Sequence, residues 1–359
     1  MNSTIKRFNI LFAAVLGAAA LFAGCEKNSV EPSPESKAFA LTSPTLIDGG
    51  VTPQRHWQNG FGCTGDNIRP ALAWSNAPEG TKSFAITVFD RDALSGGGFW
   101  HWIVYDIPTN VSSLGEGPAN LPAGAVEANT DLGTPGWFGA CPVDGRVHHY
   151  AYTIYALDTV KLAVPAGVPS RYATLLLNQK VLAKVTLEAT AGGTNTAPVP
   201  VPPAFSLTSP TLTDGGSIPQ RHWNNGFGCT GENIRPALSW SGAPAGTKSY
   251  AITVFDNDAP TGAGFWHWVV YDIPASIDSV AESPAQLPAG ATEGNNDLGT
   301  TAWFGACPSD GKTHRYTYSV FALGVEKLDA PAGATAALTS LLIQSNTIGK
   351  ASLNGTAKM

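Results

Sequence analysis

The sequence predicts a mainly β protein built from two tandem domains. Residues 39–188 recur at 205–354 with a constant offset of 166 residues (205 − 39) and without insertion or deletion. This period exceeds the roughly 20 to 50 residues of a stacking repeat, so each copy is expected to be a domain with its own core. Glycine and proline are abundant, with 39 and 27 residues among 359, and helical periodicity is scarce. We call residues 39–188 copy one and residues 205–359 copy two, and we expect every site to occur twice.

Residues 1–24 form a predicted signal peptide. A short basic start precedes the uncharged apolar stretch 8–23, which is shorter than the roughly 20 residues of a membrane span. Leu21-Phe-Ala-Gly-Cys25 resembles the lipobox of a bacterial lipoprotein, in which the cysteine carries lipid. The alternative is an ordinary signal peptide that contains Cys25. Residues 25–38 are polar with two prolines, as expected of a surface tether on an exported, membrane-anchored lipoprotein of the bacterial cell envelope.

The remaining cysteines support export. Four of them, Cys63, Cys141, Cys229 and Cys307, allow three pairings. The duplication favours Cys63–Cys141 and Cys229–Cys307, one disulfide in each copy, formed in an oxidising compartment. The alternative is two free, buried thiols in each copy.

Charge and composition narrow the class of partner. The net charge is −6, charged residues make up 13% of the chain, and no basic stripe is present, which argues against nucleic acid. Between the copies, residues 189–204 shift to alanine, glycine and threonine and then to Pro-Val-Pro-Val-Pro-Pro. This composition predicts a semi-rigid extended linker.

Three segments of copy one predict strands. Residues 82–90 are rich in β-forming residues and end at the acidic turn Asp90-Arg-Asp-Ala93, and residues 100–107 and 148–157 show similar patterns. Side chains alternate between the two faces of a strand. This period places His148, Tyr150 and Tyr152 on one face of the third segment. In the second segment it groups His101 with Ile103 and Tyr105, and Trp100 with Trp102. An acidic turn, histidines and tyrosines could then meet at one end of a sheet.

At these polar residues the sequence resembles a known family. Asp90-Arg-Asp-Ala, His101-Trp102 and Gly145-Arg-Val-His-His-Tyr150 resemble the signature boxes of the phosphatidylethanolamine-binding protein family. Copy two carries Asp256-Asn-Asp-Ala-Pro260, His267-Trp268 and Gly311-Lys-Thr-His-Arg-Tyr316. Flanking motifs such as Phe-Gly-Cys-Thr-Gly and Asn-Ile-Arg-Pro-Ala-Leu resemble its bacterial, Raf-kinase-inhibitor-like branch. The resemblance covers nearly all of both copies.

The resemblance implies two β-sandwich domains of Greek-key topology with a few short helices. It also implies a small pocket in each copy that accepts phosphate-bearing head groups. In copy one the implied ligand-binding residues are Asp90, His101, Pro142, His148 and Tyr150. In copy two they are Asp256, His267, Pro308, His314 and Tyr316. Copy one departs from the family pattern at Arg91 and Leu94, where proline is usual, whereas copy two keeps Pro260.

The chemistry of these residues suits an anion. Two histidines and a tyrosine hydroxyl supply hydrogen-bond donors, and the aspartate can orient a histidine and raise its pKa or pair with a head-group ammonium. We therefore expect tighter anion binding at mildly acidic pH. A metal site formed by Asp90, Asp92, His101 and His148 is the alternative, and we favour an anion site without a metal. No cofactor is expected.

The leading functional hypothesis is a non-catalytic binding protein for phospholipid head groups or other small phosphorylated or anionic ligands, held at a membrane through its lipid anchor. The alternative is an inhibitor or regulator of a protein partner, such as a kinase or a protease. A hydrolase is disfavoured because neither copy has a Gly-x-Ser-x-Gly elbow or a serine that stands out as a nucleophile.

Overall fold

A computed structural model of the chain describes residues 38–118, 120–193 and 205–359. Each copy contains a six-stranded sheet, a three-stranded sheet and one α-helix. The prediction of two mainly β domains with few short helices is confirmed. The predicted signal peptide, Cys25, nearly all of the tether and most of the linker lie outside the described residues.

The strands and helix of copy one follow the predicted β pattern. The strands are β1 (Ala40–Thr42), β2 (Gly50–Val51), β3 (Asn59–Gly60), β4 (Cys63–Thr64), β5 (Leu72–Ser75), β6 (Ser83–Asp90), β7 (Phe99–Pro108), β8 (Ser113–Leu114), β9 (Val126–Glu127), β10 (His148–Leu157) and β11 (Val181–Ala191). Helix α1 spans Ser170–Asn178, and a 3-10 turn spans Gln54–His56.

Copy two repeats these elements. Its strands are β12 (Ser206–Thr208), β13 (Gly216–Ser217), β14 (Asn225–Gly226), β15 (Cys229–Thr230), β16 (Leu238–Ser241), β17 (Ser249–Asp256), β18 (Phe265–Pro274), β19 (Ser279–Val280), β20 (Thr292–Glu293), β21 (His314–Leu323) and β22 (Thr347–Ala357). Helix α2 spans Ala336–Ser345, and a 3-10 turn spans Gln220–His222.

The two sheets of each copy form a sandwich. In copy one the large sheet has the order β2-β11-β10-β6-β7-β9 and the small sheet the order β1-β5-β8; copy two repeats this order. Trp74 of the small sheet packs in one core with Ile86, Trp102 and Tyr152 of the large sheet. The other face of the large sheet packs against α1, which explains why β6 and β7 are buried along nearly their whole length. Strands buried on both faces read as continuous apolar runs.

The two copies share a buried polar cluster. Arg171 of α1 is fully buried; its Nη1 lies 2.8 Å from Asp131 Oδ2 in copy one, and its Nε lies 3.6 Å from Asp297 Oδ2 in copy two. Thr335 of copy two donates its hydroxyl proton to the backbone carbonyl of Asp131. The two aspartates occupy the same position in their copies, but the counterpart of Arg171 is Ala337. One guanidinium therefore serves two buried carboxylates.

This shared cation leaves Asp297 sensitive to pH. Burial raises the pKa of Asp297 to about 7, although Arg171 and the backbone N–H of Trp266 both lower it. The ordinary value is 3.8. Because the folded chain holds this proton up to a higher pH than the unfolded chain, the resulting stabilisation is fully present below about pH 4. It is lost as the pH rises through about 7.

We therefore expect Asp297→Asn to flatten the pH profile of stability. Between pH 4 and 7 the free energy of unfolding of the wild-type protein should fall relative to that of the variant, since asparagine cannot ionise. The measurement is urea unfolding at a series of pH values. Asp158→Asn, at an exposed position, serves as the control and should leave the profile unchanged. If the free energies of unfolding of the wild type and Asp297→Asn changed with pH in parallel, the raised pKa of Asp297 would be contradicted.

Candidate ligand-binding site

Three of the predicted residues of copy one meet at one end of the large sheet. Asp90 ends β6, His148 begins β10, and His101 lies near the start of β7, and these strands are neighbours in the sheet. All three side chains are buried, with 2%, 2% and 3% of their residue surface exposed, respectively. They line a cavity of about 240 Å³. Other residues that line this cavity are Phe61, Phe99, Leu132, Phe138, Cys141 and Val143.

A β-bulge aims His101 into the cavity. Trp102 pairs with Val88 and Trp100 with Phe89, so His101 is an extra residue between two consecutive pairs. A bulge breaks the alternation of faces and redirects a side chain. Trp100 consequently packs on the helix side of the sheet with Ile103, and Trp102 packs inside the sandwich. The sequence-based prediction that Trp100 and Trp102 share a face was wrong, as was the prediction that His101 shares a face with Ile103.

His148 lies between two carboxylates. Its Nδ1 is 2.7 Å from Asp90 Oδ2, and its Nε2 is 3.0 Å from Asp144 Oδ1. An ionised carboxylate only accepts hydrogen bonds, so both ring nitrogens donate and the ring is an imidazolium. Burial lowers the pKa of His148, but the hydrogen bonds and charges of Asp90 and Asp144 outweigh it and hold the pKa above its ordinary value. The sequence analysis missed Asp144, which follows Cys141-Pro-Val in the chain.

The pKa of His101 is shifted in the opposite direction from that of His148. Its Nδ1 donates to the carbonyl oxygen of Phe138 at 2.9 Å, and its Nε2 lies 3.9 Å from Asp90 Oδ2. Burial lowers the pKa of His101 and outweighs the charge of Asp90. The expected rise in histidine pKa beside the aspartate therefore applies to His148 and does not extend to His101. The neutral ring of His101 keeps a lone pair on Nε2, which becomes a donor when the ring is protonated.

Two implied residues of copy one do not reach the cavity surface. Tyr150 is fully buried behind His101, with ring centroids 5.2 Å apart, and its hydroxyl accepts from the backbone N–H of Cys141. Burial raises the pKa of Tyr150 well above its ordinary value. Pro142 is buried beside Gly192, while the residues on either side of it line the cavity. Tyr150 therefore supports the site from behind instead of supplying a donor to it.

Copy two repeats this geometry. His314 Nδ1 lies 2.7 Å from Asp256 Oδ2, His314 Nε2 lies 3.0 Å from Asp310 Oδ1, and His267 Nε2 lies 3.8 Å from Asp256 Oδ2. Asp256 and Asp310 hold the pKa of His314 above its ordinary value against the effect of burial. Tyr316 and Pro308 are again buried and do not line the cavity. The cavity of copy two measures about 90 Å³.

In each copy a disulfide joins the hairpin that carries a cavity-lining phenylalanine, Phe61 or Phe227, to the rim of the cavity. The structure contains Cys63–Cys141 and Cys229–Cys307, which are the pairs that the duplication favours. Cys141 and Cys307 line the cavities of copy one and copy two. Each bridge therefore holds its rim against the hairpin formed by the short strands around Phe61 and Phe227.

The described part of the chain has neither a metal-binding cluster nor a helix that could cross a membrane. Within residues 38–118, 120–193 and 205–359, no group of three or more histidine, cysteine, aspartate or glutamate residues is arranged to hold a metal ion. Asp92, which the metal hypothesis included, is half exposed and accepts from the backbone N–H and ring of His149. The helices in the same ranges are too short or too polar to cross a membrane.

The known proteins that resemble this chain align with about half of its length. The chain is 40% identical over 184 residues to the UPF0098 protein YbcL of Escherichia coli, an alignment that covers 50% of this chain and 94% of YbcL. It is 36% identical over 167 residues to the candidate lipoprotein LppC of Mycobacterium tuberculosis, covering 46% of this chain and 78% of LppC. The crystal structure of E. coli YbcL, described as a new member of the mammalian PEBP family, aligns with a TM-score of 0.42 at 39% identity. It covers 43% of this chain and 98% of YbcL.

The family profile described as phosphatidylethanolamine-binding protein matches the chain twice, at residues 42–192 and at residues 208–358. These two matches span most of the chain and both sets of signature residues. The chain therefore belongs to the phosphatidylethanolamine-binding protein family and is a tandem duplicate within it.

Proposed function

We propose that each copy binds a small anionic ligand, either the phosphate of a phospholipid head group or a free phosphorylated molecule. The observation that carries this proposal is the buried Nε2 of His101, which a bulge aims into a half-open, largely apolar cavity. His267 repeats the arrangement in copy two. Once His101 is protonated, Nε2 donates a charge-assisted hydrogen bond to an anion, which the apolar wall strengthens.

The charges at the site balance while His101 is neutral. Asp90 and Asp144 contribute two negative charges, and the imidazolium of His148 and the guanidinium of Arg146, which pairs with Asp144, contribute two positive charges. A bound phosphate therefore favours protonation of His101, because the added proton offsets the added negative charge. This balance suits a monoanionic phosphate such as that of a phospholipid head group.

We infer binding rather than catalysis from the state of the histidines. Both nitrogens of His148 donate to carboxylates, which leaves this ring no lone pair with which to act as a base. Among the described residues, no hydroxyl or thiol forms a hydrogen bond with His101 that would activate it as a nucleophile. A ligand-binding role requires neither.

We also propose that the protein is exported and held at a membrane by lipid on Cys25. The two disulfides suit an oxidising compartment, and the similar protein LppC is named as a candidate lipoprotein. Two head-group sites on one anchored chain would bind a surface of many head groups with avidity. Metabolic labelling with a fatty acid, compared between the wild type and Cys25→Ala, tests the anchor.

The binding proposal predicts affinity that rises as the pH falls. Glycerophosphoethanolamine is a suitable probe because a phosphodiester does not titrate between pH 6 and 8. If His101 takes up one proton on binding, affinity increases by up to about tenfold for each pH unit. Calorimetry at pH 6 and pH 8 measures this change, and repeating it in buffers of different ionisation enthalpy counts the protons. We expect His101→Ala/His267→Ala to weaken binding by about 10- to 100-fold.

His149→Ala is the matched control, since His149 is exposed and pairs with Asp92 outside the cavity. It should leave the affinity unchanged. Absence of binding heat at both pH values, from folded protein, would overturn the head-group proposal. A protein partner that still bound the double histidine variant would instead favour the regulatory function.

A further inference from the structure

Each cavity is completed by a helix from the other copy. Leu338, Leu341, Leu342 and Ser345 of α2 line the cavity of copy one, and Tyr172 and Leu175 of α1 line the cavity of copy two. The helices are held in place by hydrogen bonds between copies. Ser340 donates to the carbonyl oxygen of Ser95 at 2.6 Å, and Asn178 donates to that of Thr261 at 3.0 Å.

The two cavities differ at equivalent positions. Leu338 and Tyr172 are separated by the repeat offset of 166 residues, so the same helical position presents a leucine to copy one and a larger tyrosine to copy two. At the rim, Val143 of copy one corresponds to Ser309 of copy two, so copy one also has the more apolar wall. The cavities measure about 240 Å³ in copy one and about 90 Å³ in copy two. The difference would hold about five groups of the size of a water molecule, at roughly 30 Å³ each.

We propose that the two sites have different ligand specificity: copy one binds anions that carry an apolar chain, and copy two binds the anionic head group alone. This proposal rests on the proposed function, because His101 and His267 hold the anion in both sites. In copy one the chain lies against Leu338, Leu341 and Leu342. In copy two Tyr172 occupies the corresponding space.

The selectivity has a physical origin in the burial of methylene groups. Each methylene that leaves water for an apolar wall strengthens binding by about fourfold. Copy one offers three leucine side chains and room for several methylenes, so chain length should increase affinity there. In copy two the smaller cavity leaves the alkyl chain of the ligand in water, so the length of that chain should have little effect on affinity. Specificity thus depends on side chains contributed by the opposite copy.

The test compares methyl phosphate with hexyl phosphate at pH 6, because both carry the same head group. His267→Ala leaves the site of copy one intact, and His101→Ala leaves that of copy two. In His267→Ala we expect hexyl phosphate to bind tighter than methyl phosphate by about tenfold or more. In His101→Ala we expect the two affinities to agree within about threefold.

Reciprocal substitutions then locate the selectivity. Leu338→Tyr, added to His267→Ala, should reduce the preference for hexyl phosphate over methyl phosphate to within about threefold. Tyr172→Leu, added to His101→Ala, should create a preference of about fivefold or more. Each substitution introduces the residue that the other copy already carries at that position, and Tyr172→Leu decides the question even if Leu338→Tyr does not fold.

The outcomes separate this inference from the proposed function. Binding of methyl phosphate with the same chain preference in both sites would overturn the inference and leave the proposed function standing. A preference that survives Leu338→Tyr and does not appear with Tyr172→Leu would also overturn it. Failure of methyl phosphate to bind either single-site variant would overturn both.

Discussion

We expect Arg171→Ala to lower the free energy of unfolding by about 3 to 5 kcal/mol. The guanidinium is fully buried, pairs with Asp131, approaches Asp297, and lies over the ring of Trp266 at 4.0 Å from the centroid. Its removal leaves two buried carboxylates without a cation. Because Asp297 can take up a proton, the loss should be larger at pH 8 than at pH 5.

Urea unfolding followed by tryptophan fluorescence measures this loss. Arg55→Ala is the matched control, because Arg55 pairs with Glu116 at the surface and such pairs contribute about 0 to 1 kcal/mol. Adding Asp297→Asn to Arg171→Ala should restore part of the stability by removing one unpaired charge. An effect of Arg171→Ala no larger than that of the control would show that the cluster contributes little.

Loss of one disulfide is the second large effect. Cys63→Ala/Cys141→Ala opens a loop with a sequence separation of 78 residues, and we expect the free energy of unfolding to fall by about 2 to 4.5 kcal/mol. The loss arises mainly because the bridge restricts the unfolded chain. Since Cys141 lines the cavity and its N–H bonds to Tyr150, anion affinity of copy one should fall as well.

The duplication supplies the control for this experiment. Cys229→Ala/Cys307→Ala opens a loop of the same separation, so its effect on stability should match within the error of the urea titration. Its effect on binding should appear in copy two alone. Unchanged unfolding midpoints in both double variants would argue against the stabilising role of the bridges.

Much of the fold followed from local chemistry. The sequence alone predicted the β-forming stretch of β6, the histidine at the start of β10 and the duplicated cysteines. These features were predictable because strand propensity depends on neighbouring residues. Asp90, His101 and His148 were identified by their resemblance to a family motif, and the structure brings the three together. Which side chains of β7 lie on which face of the sheet could not be predicted, because the bulge at His101 depends on the pairing of β7 with β6.

Other features of the site depend on residues far apart in the chain. Asp144 was overlooked because a lone aspartate in a loop has no periodicity, and its role exists only where the loop returns to His148. The residues of α2 that line the cavity of copy one lie about 240 positions beyond His101 in the sequence, and no short motif could connect them. Tyr150 shows the converse, since its motif implied a ligand contact, whereas the structure places it behind His101 and off the cavity wall.

The number of domains, their mainly β class, their family and the residue types available at each site could be predicted from the amino-acid sequence alone. These properties depend on composition, short-range pattern and a repeat of constant offset. Three properties depend on the packing of the whole chain: Arg171 serves two buried aspartates, His148 is held charged while His101 is not, and each cavity is completed by the opposite copy. Charge state and cavity shape depend on which groups burial places within a few ångströms of each other, and that proximity is a property of the packed chain.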